Sequence, residues 1–211
     1  MSESKEFCTI YIVRHGETDH NLTGIIQGQT DVALNPKGTE QASLAGQKLR
    51  NVKFDAVYAS DLTRAKRTAE IIIAEKQVAV NTTQLLRERH YGQYEDRAHK
   101  AFQAENEALL LKLEAMAEEQ RRNFKFDVKY ESDNEVAIRV ITFLRELAVT
   151  YAGKTILVVS HGGVMRILLA HLGFKSREEM KHIFIENTGY LKLESDGVEF
   201  NLLETSGLTI K

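Results

Sequence analysis

The sequence predicts an α/β fold built on a largely parallel sheet, and three observations carry that expectation. Two apolar, β-branched runs, Thr9-Ile10-Tyr11-Ile12-Val13 and Thr155-Ile156-Leu157-Val158-Val159, lack polar alternation, as strands buried on both faces require. Helical patterns alternate with the strand candidates across short loops. Each of the two runs also leads into a histidine followed by glycine, His15-Gly16 and His161-Gly162-Gly163. Ligands of parallel sheets bind beyond the carboxyl ends of the strands. Neighbouring strands of this kind therefore deliver both imidazoles to one crevice.

Taken in order, the first strand ends at Arg14, and Glu17 to Asp31 reads as a loop rich in Thr, Asn, Gly and Gln. Asn35-Pro36 opens a helix through Leu49, with proline in its first turn. Asp55 to Ala59 is a second short strand, and Ser60 and Asp61 are positioned to cap a helix from Leu62 to about Ala74. Val78 to Val80 is a third strand candidate. A charged, aromatic segment, Leu85 to Arg97, interrupts the alternation. From Ala98 to Arg122 the pattern is helical, as one helix or two, with Leu109, Leu110, Leu113 and Met116 as its apolar stripe. Phe124 to Tyr130 is loop or short extended chain. Ser132 with Glu135 forms a capping-box signature for a helix from Val136 to Thr150. The strand ending before His161 follows, then a helix from Val164 to Leu172 that stops at Gly173. Asn187 to Leu193 and Val198 to Leu203 read as two strands joined at Ser195-Asp196-Gly197.

Composition narrows the function. The chain has 211 residues, 43% of them hydrophobic, and a net charge of -2. A chain of this length buries roughly 70% of its unfolded surface. No basic excess marks a nucleic-acid partner, and no apolar run reaches membrane-spanning length. Met1 to Phe7 is polar and lacks a hydrophobic signal core, so a cytoplasmic location is expected. Cys8 is the single cysteine, which excludes an intrachain disulfide and reads as a buried small hydrophobe.

Five side chains stand out as chemistry: Arg14, His15, Arg64, Glu88 and His161. Arg64 lies near the start of the helix after the second strand and can turn back to the same crevice. Two arginines with two histidines suit a phosphate dianion, whose oxygens accept bidentate bonds from guanidinium. Gly162 and Gly163 add backbone N–H donors at a helix start. Imidazole is a nucleophile when one nitrogen is free and the ring is held. The turn at Gly16 can offer a backbone carbonyl to Nδ1–H of His15, leaving Nε2 to attack phosphorus. His161 then stabilises the charge of the transferring group beside the arginines. No acidic triad suited to Mg²⁺ stands out, so arginine and histidine supply the positive charge, and neither metal nor cofactor is expected. Each residue also has a plainer reading. A histidine after a strand is commonly just a polar strand end, Glu88 can be a loop ion pair, and a zinc site from His15, His20 and His161 has no recognised ligand spacing. His99, His171 and His182 read as surface or helix-packing residues.

Four segments in order resemble the histidine phosphatase superfamily, which includes the cofactor-dependent phosphoglycerate mutases. Arg14-His15-Gly16-Glu17-Thr18-Asp19-His20-Asn21 is similar to its signature stretch, and Asp61-Leu62-Thr63-Arg64-Ala65 with Arg67-Thr68-Ala69 to its second arginine segment. Leu86-Arg87-Glu88-Arg89-His90-Tyr91-Gly92 is similar to its glutamate segment and Ser160-His161-Gly162-Gly163 to its second histidine. The resemblance implies a three-layer α/β/α sandwich over residues 1–211, with a helical insertion at about 93–130 over the active site. It implies that His15 is phosphorylated, that Glu88 donates the proton, and that Arg14, Arg64 and His161 form the phosphate pocket. It adds Thr18, Asn21, Gln27, Gly28 and Gly162 as substrate-binding candidates. The implied activity is that of an acid phosphatase-type phosphomonoesterase on small phosphate esters, as monomer or homodimer.

What accepts the phosphoryl group divides the family. Arg89 and Tyr91, with Lys100 and the pair Arg121-Arg122, look like mutase groups for a carboxylate or second phosphate, although the spacing of the arginine pair departs from that pattern. Gly92-Gln93-Tyr94-Glu95-Asp96, the stretch from Glu131 through Arg139-Val140, and the short ending look like the broad-specificity phosphatases. The reading favoured is a phosphatase. A mutase is the alternative, and an inactive relative used for binding is a third reading.

Overall fold

A computed structural model describes residues 6–210, apart from the side chains at 177, 178, 181 and 210. Residues 1–5 of the polar N-terminal stretch lie outside it. In chain order the elements are β1 (Cys8–Arg14), α1 (Asp19–Thr23), α2 (Pro36–Lys48), β2 (Ala56–Ser60), α3 (Thr63–Ile72) and β3 (Val80–Thr83). They continue with α4 (His99–Glu105), α5 (Glu107–Ala115), α6 (Glu118–Arg122), α7 (Asp133–Thr150), β4 (Thr155–Ser160), α8 (Gly162–His171), α9 (Arg177–His182), β5 (Ile183–Ser195) and β6 (Phe200–Ile210).

The described strands form one sheet in the order β3-β2-β4-β1-β5-β6. The first four run parallel, and β5 and β6 form an antiparallel hairpin at one side. The apolar runs pair directly, from Thr9 opposite Thr155 to Arg14 opposite Ser160. Alternate residues of these strands serve opposite faces, as the pleat demands. Ile10, Ile12, Ile156 and Val158 pack with Val140, Leu144, Val164 and Leu168 of α7 and α8. Tyr11, Val13, Leu157 and Val159 pack on the other face with Ala65, Ala69 and Ile72 of α3 and with Ala45 of α2. The result is the three-layer α/β/α arrangement. Cys8 is buried, and burial pushes its thiol up to about 11. Among the described residues no helix is long and apolar enough to cross a membrane.

Several local expectations are corrected. The stretch from Glu17 to Asp31 contains α1, capped by Thr18, whose Oγ accepts from the Asn21 amide. The start of α3 is not capped by Ser60 or Asp61. Asp61 instead pairs with Arg87 at 2.6 Å, and Asp31, from a distant loop, accepts from the Thr63 amide at 2.8 Å. β3 begins at Val80, where its pairing with Val57 of β2 sets the register. The stretch 98–122 is broken into α4, α5 and α6, and Leu109, Leu110, Leu113 and Met116 are only half-buried. α9 was not anticipated, and β5 and β6 extend well beyond the expected strands. The segment around α4 is anchored by Ile26, Tyr94, Phe102 and Tyr130, with Tyr94 and Phe102 edge to face at 4.8 Å.

Candidate active site

The ladder between β1 and β4 continues one step past Arg14, where the His15 amide donates to the Ser160 carbonyl at 3.0 Å. His15 and His161 thus leave adjacent strand ends, and their ring centroids lie 5.1 Å apart. The turn after His15 is tightly held. A Cβ on Gly16 would meet the Gly38 carbonyl at 2.4 Å, and the Gly16 amide donates to Thr68 Oγ1 at 3.0 Å. In this turn Nδ1 of His15 lies 2.7 Å from the Gly16 carbonyl. A carbonyl only accepts, so Nδ1 carries the proton and Nε2 keeps its lone pair. Burial, then the charges of Arg64 and Arg14, hold the ring's pKa well below the usual histidine value. His15 is neutral at neutral pH.

Arg14 and Arg64 converge on this ring from β1 and α3. Arg64 is fully buried; its Nη1 donates to the Thr30 carbonyl at 2.8 Å and its Nη2 to Gly28 at 2.7 Å. Burial lowers its pKa to about 10, which leaves it charged at neutral pH. Arg14 Nη1 donates to the Ile185 carbonyl at 2.5 Å, and its guanidinium lies 5.4 Å from the Phe184 ring centre. His161 stands at the N-cap of α8, completely buried, with neither ring nitrogen bonded within the protein. Burial comes first in depressing its pKa, followed by the charge of Arg64. The Nε atoms of Arg14 and Arg64 are also buried without a partner. Buried polar atoms are otherwise nearly always bonded, so this cluster marks where an anion's oxygens fit.

Glu88 lines the same cavity as Arg14, His15 and Arg64. Its Oε1 accepts from the Arg89 amide at 2.8 Å and its Oε2 from the Gly163 amide at 2.9 Å. A Cβ on Gly163 would sit 2.4 Å from Glu88 Oε1, so a side chain here displaces the Glu88 carboxyl. Arg14, His15, Arg64 and Glu88 line one cavity of about 1180 Å³; His161 is not on its wall but is fully buried, with its ring centroid 5.1 Å from that of His15. Asn21, Gln27, Gly28, Arg89, Tyr91, Arg121 and Gly162 line the cavity too. Arg89 is held by an ion pair with Asp133 and donates to the Tyr130 hydroxyl at 3.3 Å. Tyr91 packs edge to face on Tyr130, and burial pushes its hydroxyl pKa up.

Besides His161, two candidates are not brought to the cavity wall. Thr18 is fully buried, and its hydroxyl is spent on capping α1 and on Gln27 Oε1 at 3.0 Å. Lys100 is exposed on α4 and does not line the cavity. Arg122 of the expected pair lines it as well; conversely, His99 and His171, expected at the surface or in helix packing, are on its wall, as is Arg166. The signal for Arg166 was present: it lies four and three residues after Gly162 and Gly163 on α8, hence on the same helical face.

Two buried strand-end imidazoles, two buried guanidiniums and a carboxyl group facing them define an α/β enzyme that handles phosphoryl groups. The sequence profile of the histidine phosphatase superfamily (branch 1) matches residues 10–206, and the chain belongs to that superfamily, as a phosphatase or mutase-like enzyme. It is 36% identical over 171 residues to phosphoglycerate mutase-like protein 4 of Arabidopsis thaliana, covering 79% of this chain and 72% of that one. It is 30% identical over 195 residues to a broad-specificity phosphatase of Saccharomyces cerevisiae, covering 89% and 79%. Among solved structures, YhfR of Bacillus stearothermophilus superposes with a TM-score of 0.80 at 26% identity, covering 92% of this chain and 95% of that one.

Proposed function

We propose that the protein hydrolyses phosphomonoesters of small metabolites through a phosphohistidine on His15, without a metal. The observation that carries this reading is the state of His15: neutral, tied through Nδ1 to the Gly16 carbonyl, and flanked by two buried guanidiniums. In the first step Nε2 attacks phosphorus, the bond from phosphorus to the ester oxygen breaks, and that oxygen takes a proton from Glu88. In the second, water attacks the phosphohistidine and gives its proton back to Glu88, and the P–N bond breaks to release phosphate. Arg14, Arg64 and His161 face the equatorial oxygens, where charge accumulates. These groups supply what metal ions supply in other phosphoryl transferases, so a chelator leaves the rate unchanged, whereas a rate lost to chelation and restored by zinc or magnesium contradicts the proposal. The stretch 93–130 acts as a cap, since His99, Glu114, Glu118, Arg121 and Arg122 on it wall the cavity.

One observation favours a second reading. Arg89, Tyr91 and Arg121 share the cavity with the nucleophile and suit a carboxylate held for return transfer, as in a mutase. The two readings part over the acceptor. With 3-phosphoglycerate and catalytic 2,3-bisphosphoglycerate, a phosphatase releases phosphate faster than it forms 2-phosphoglycerate; faster isomerisation establishes the mutase. A passive binding role is disfavoured because Arg14, His15, Arg64 and Glu88 meet in the cavity, with the His161 ring against that of His15.

A further inference from the structure

Helix α7 packs on the far side of the Glu88 loop, and one of its side chains reaches that loop. Arg139 Nη1 donates to the carbonyls of Leu85 and Arg87, both at 2.8 Å, and Nη2 donates to the carbonyl of Glu88 at 3.1 Å. The same guanidinium grips Glu131 through Nε and Nη2, both at 2.9 Å. Glu131 Oε2 in turn accepts from the His90 amide at 2.8 Å, and the Glu131 amide donates to the His90 carbonyl at 2.9 Å. The chain on both sides of Glu88 is therefore fixed from one point. The carbonyls at 85, 87 and 88 go to the guanidinium, and residue 90 goes to the carboxylate which that guanidinium holds. Arg139 is not among the residues lining the cavity.

We propose that Arg139, braced by Glu131, is a positioning residue that sets the Glu88 carboxyl against the oxygen leaving phosphorus. The proposal rests on the reading of Glu88 as proton donor. Three carbonyls and a carboxylate converging on one place require a planar cation with several donors in fixed directions. Guanidinium meets that demand; the compact ammonium of lysine does not. The pair is mostly shielded, with Arg139 and Glu131 at 16% and 21% side-chain exposure, so its geometry is not averaged by solvent. A misplacement of about 1 Å costs on the order of 10²-fold when a reacting group must be held in line. The loss falls on substrates that need the acid.

The test compares glycerol 2-phosphate, whose alkoxide needs a proton, with p-nitrophenyl phosphate, whose nitrophenolate leaves unaided. Arg139→Lys, Arg139→Met, Glu131→Gln and Glu88→Gln are measured on both, with thermal unfolding as the control for folding. The expected result is that Arg139→Lys lowers kcat on glycerol 2-phosphate by roughly 10- to 100-fold and on p-nitrophenyl phosphate far less. Glu131→Gln shifts the ratio the same way. Combining Arg139→Lys with Glu88→Gln shifts it no further than Glu88→Gln alone, as residues acting through one another do. Should Arg139→Met fail to fold, Arg139→Lys and Glu131→Gln carry the comparison. Equal losses on both substrates, or none, in those two variants overturn the proposal while Glu88→Gln stays selective. Equal losses in Glu88→Gln itself overturn the proton-donor reading, and the positioning role with it.

Discussion

His15 combines two properties that a free histidine in water does not hold together at neutral pH: a single tautomer and an uncharged ring. The Gly16 carbonyl selects the tautomer, while burial and two guanidiniums disfavour the imidazolium. His161 lies in the same field, with its pKa depressed in the same direction. Both rings consequently take up a proton only at a pH below the ordinary histidine value of about 6.5. In an NMR titration of the free protein, the His15 and His161 ring resonances are expected to stay constant from pH 8 to 6.5 and to shift only below it. A midpoint at or above 6.5 for His15 would mean that the ring is charged when substrate arrives. Gly16 owes its identity to close approach, since any side chain there strikes the Gly38 backbone, whereas Gly28 takes a left-handed φ of 52°.

At the scale of elements, legibility in the sequence tracked burial. β1 and β4 are covered on both faces, so every residue of the central run is apolar, and the run stops where the chain reaches the crevice. The capping box of α7 was readable because Ser132 and Glu135 form it without help from elsewhere. What was not readable depended on distant partners. Asp31 rather than Asp61 accepts from the first amide of α3, and β3 takes its register from β2. The break between α4 and α5 falls at Asn106, which is neither glycine nor proline. Its side chain bonds back to the Phe102 carbonyl and receives the Tyr94 hydroxyl, contacts that compete with continuing the helix. The catalytic candidates were found because strand ends and motif order point to them. Lys100 was misplaced because its side of α4 depends on packing that no local pattern encodes. α7 holds the layer behind β1 and β4, and Leu144 at its centre is fully buried. Leu144→Ala is expected to lower the unfolding free energy by about 2–5 kcal/mol in urea denaturation. A change below about 0.5 kcal/mol, the range of surface substitutions, would mean the layer is not packed as described.

Across the whole molecule, a parallel sheet and one hairpin gather groups far apart in sequence into a single cavity. β1 supplies Arg14 and leads into His15, α3 supplies Arg64 and the loop after β3 supplies Glu88, while β4 leads into His161, buried beside His15. β5 completes the wall through the Ile185 carbonyl that holds Arg14. On the proposed reading, His15 is the nucleophile and the other groups serve the phosphoryl group that it receives. The most direct test is to trap that covalent state. Mixing the enzyme with ³²P-labelled phosphomonoester and quenching in base within one turnover should leave acid-labile, base-stable label on the peptide containing His15. His15→Ala should fold normally, take up no label and lose essentially all turnover. Label on another residue, or full activity in His15→Ala, would contradict the account.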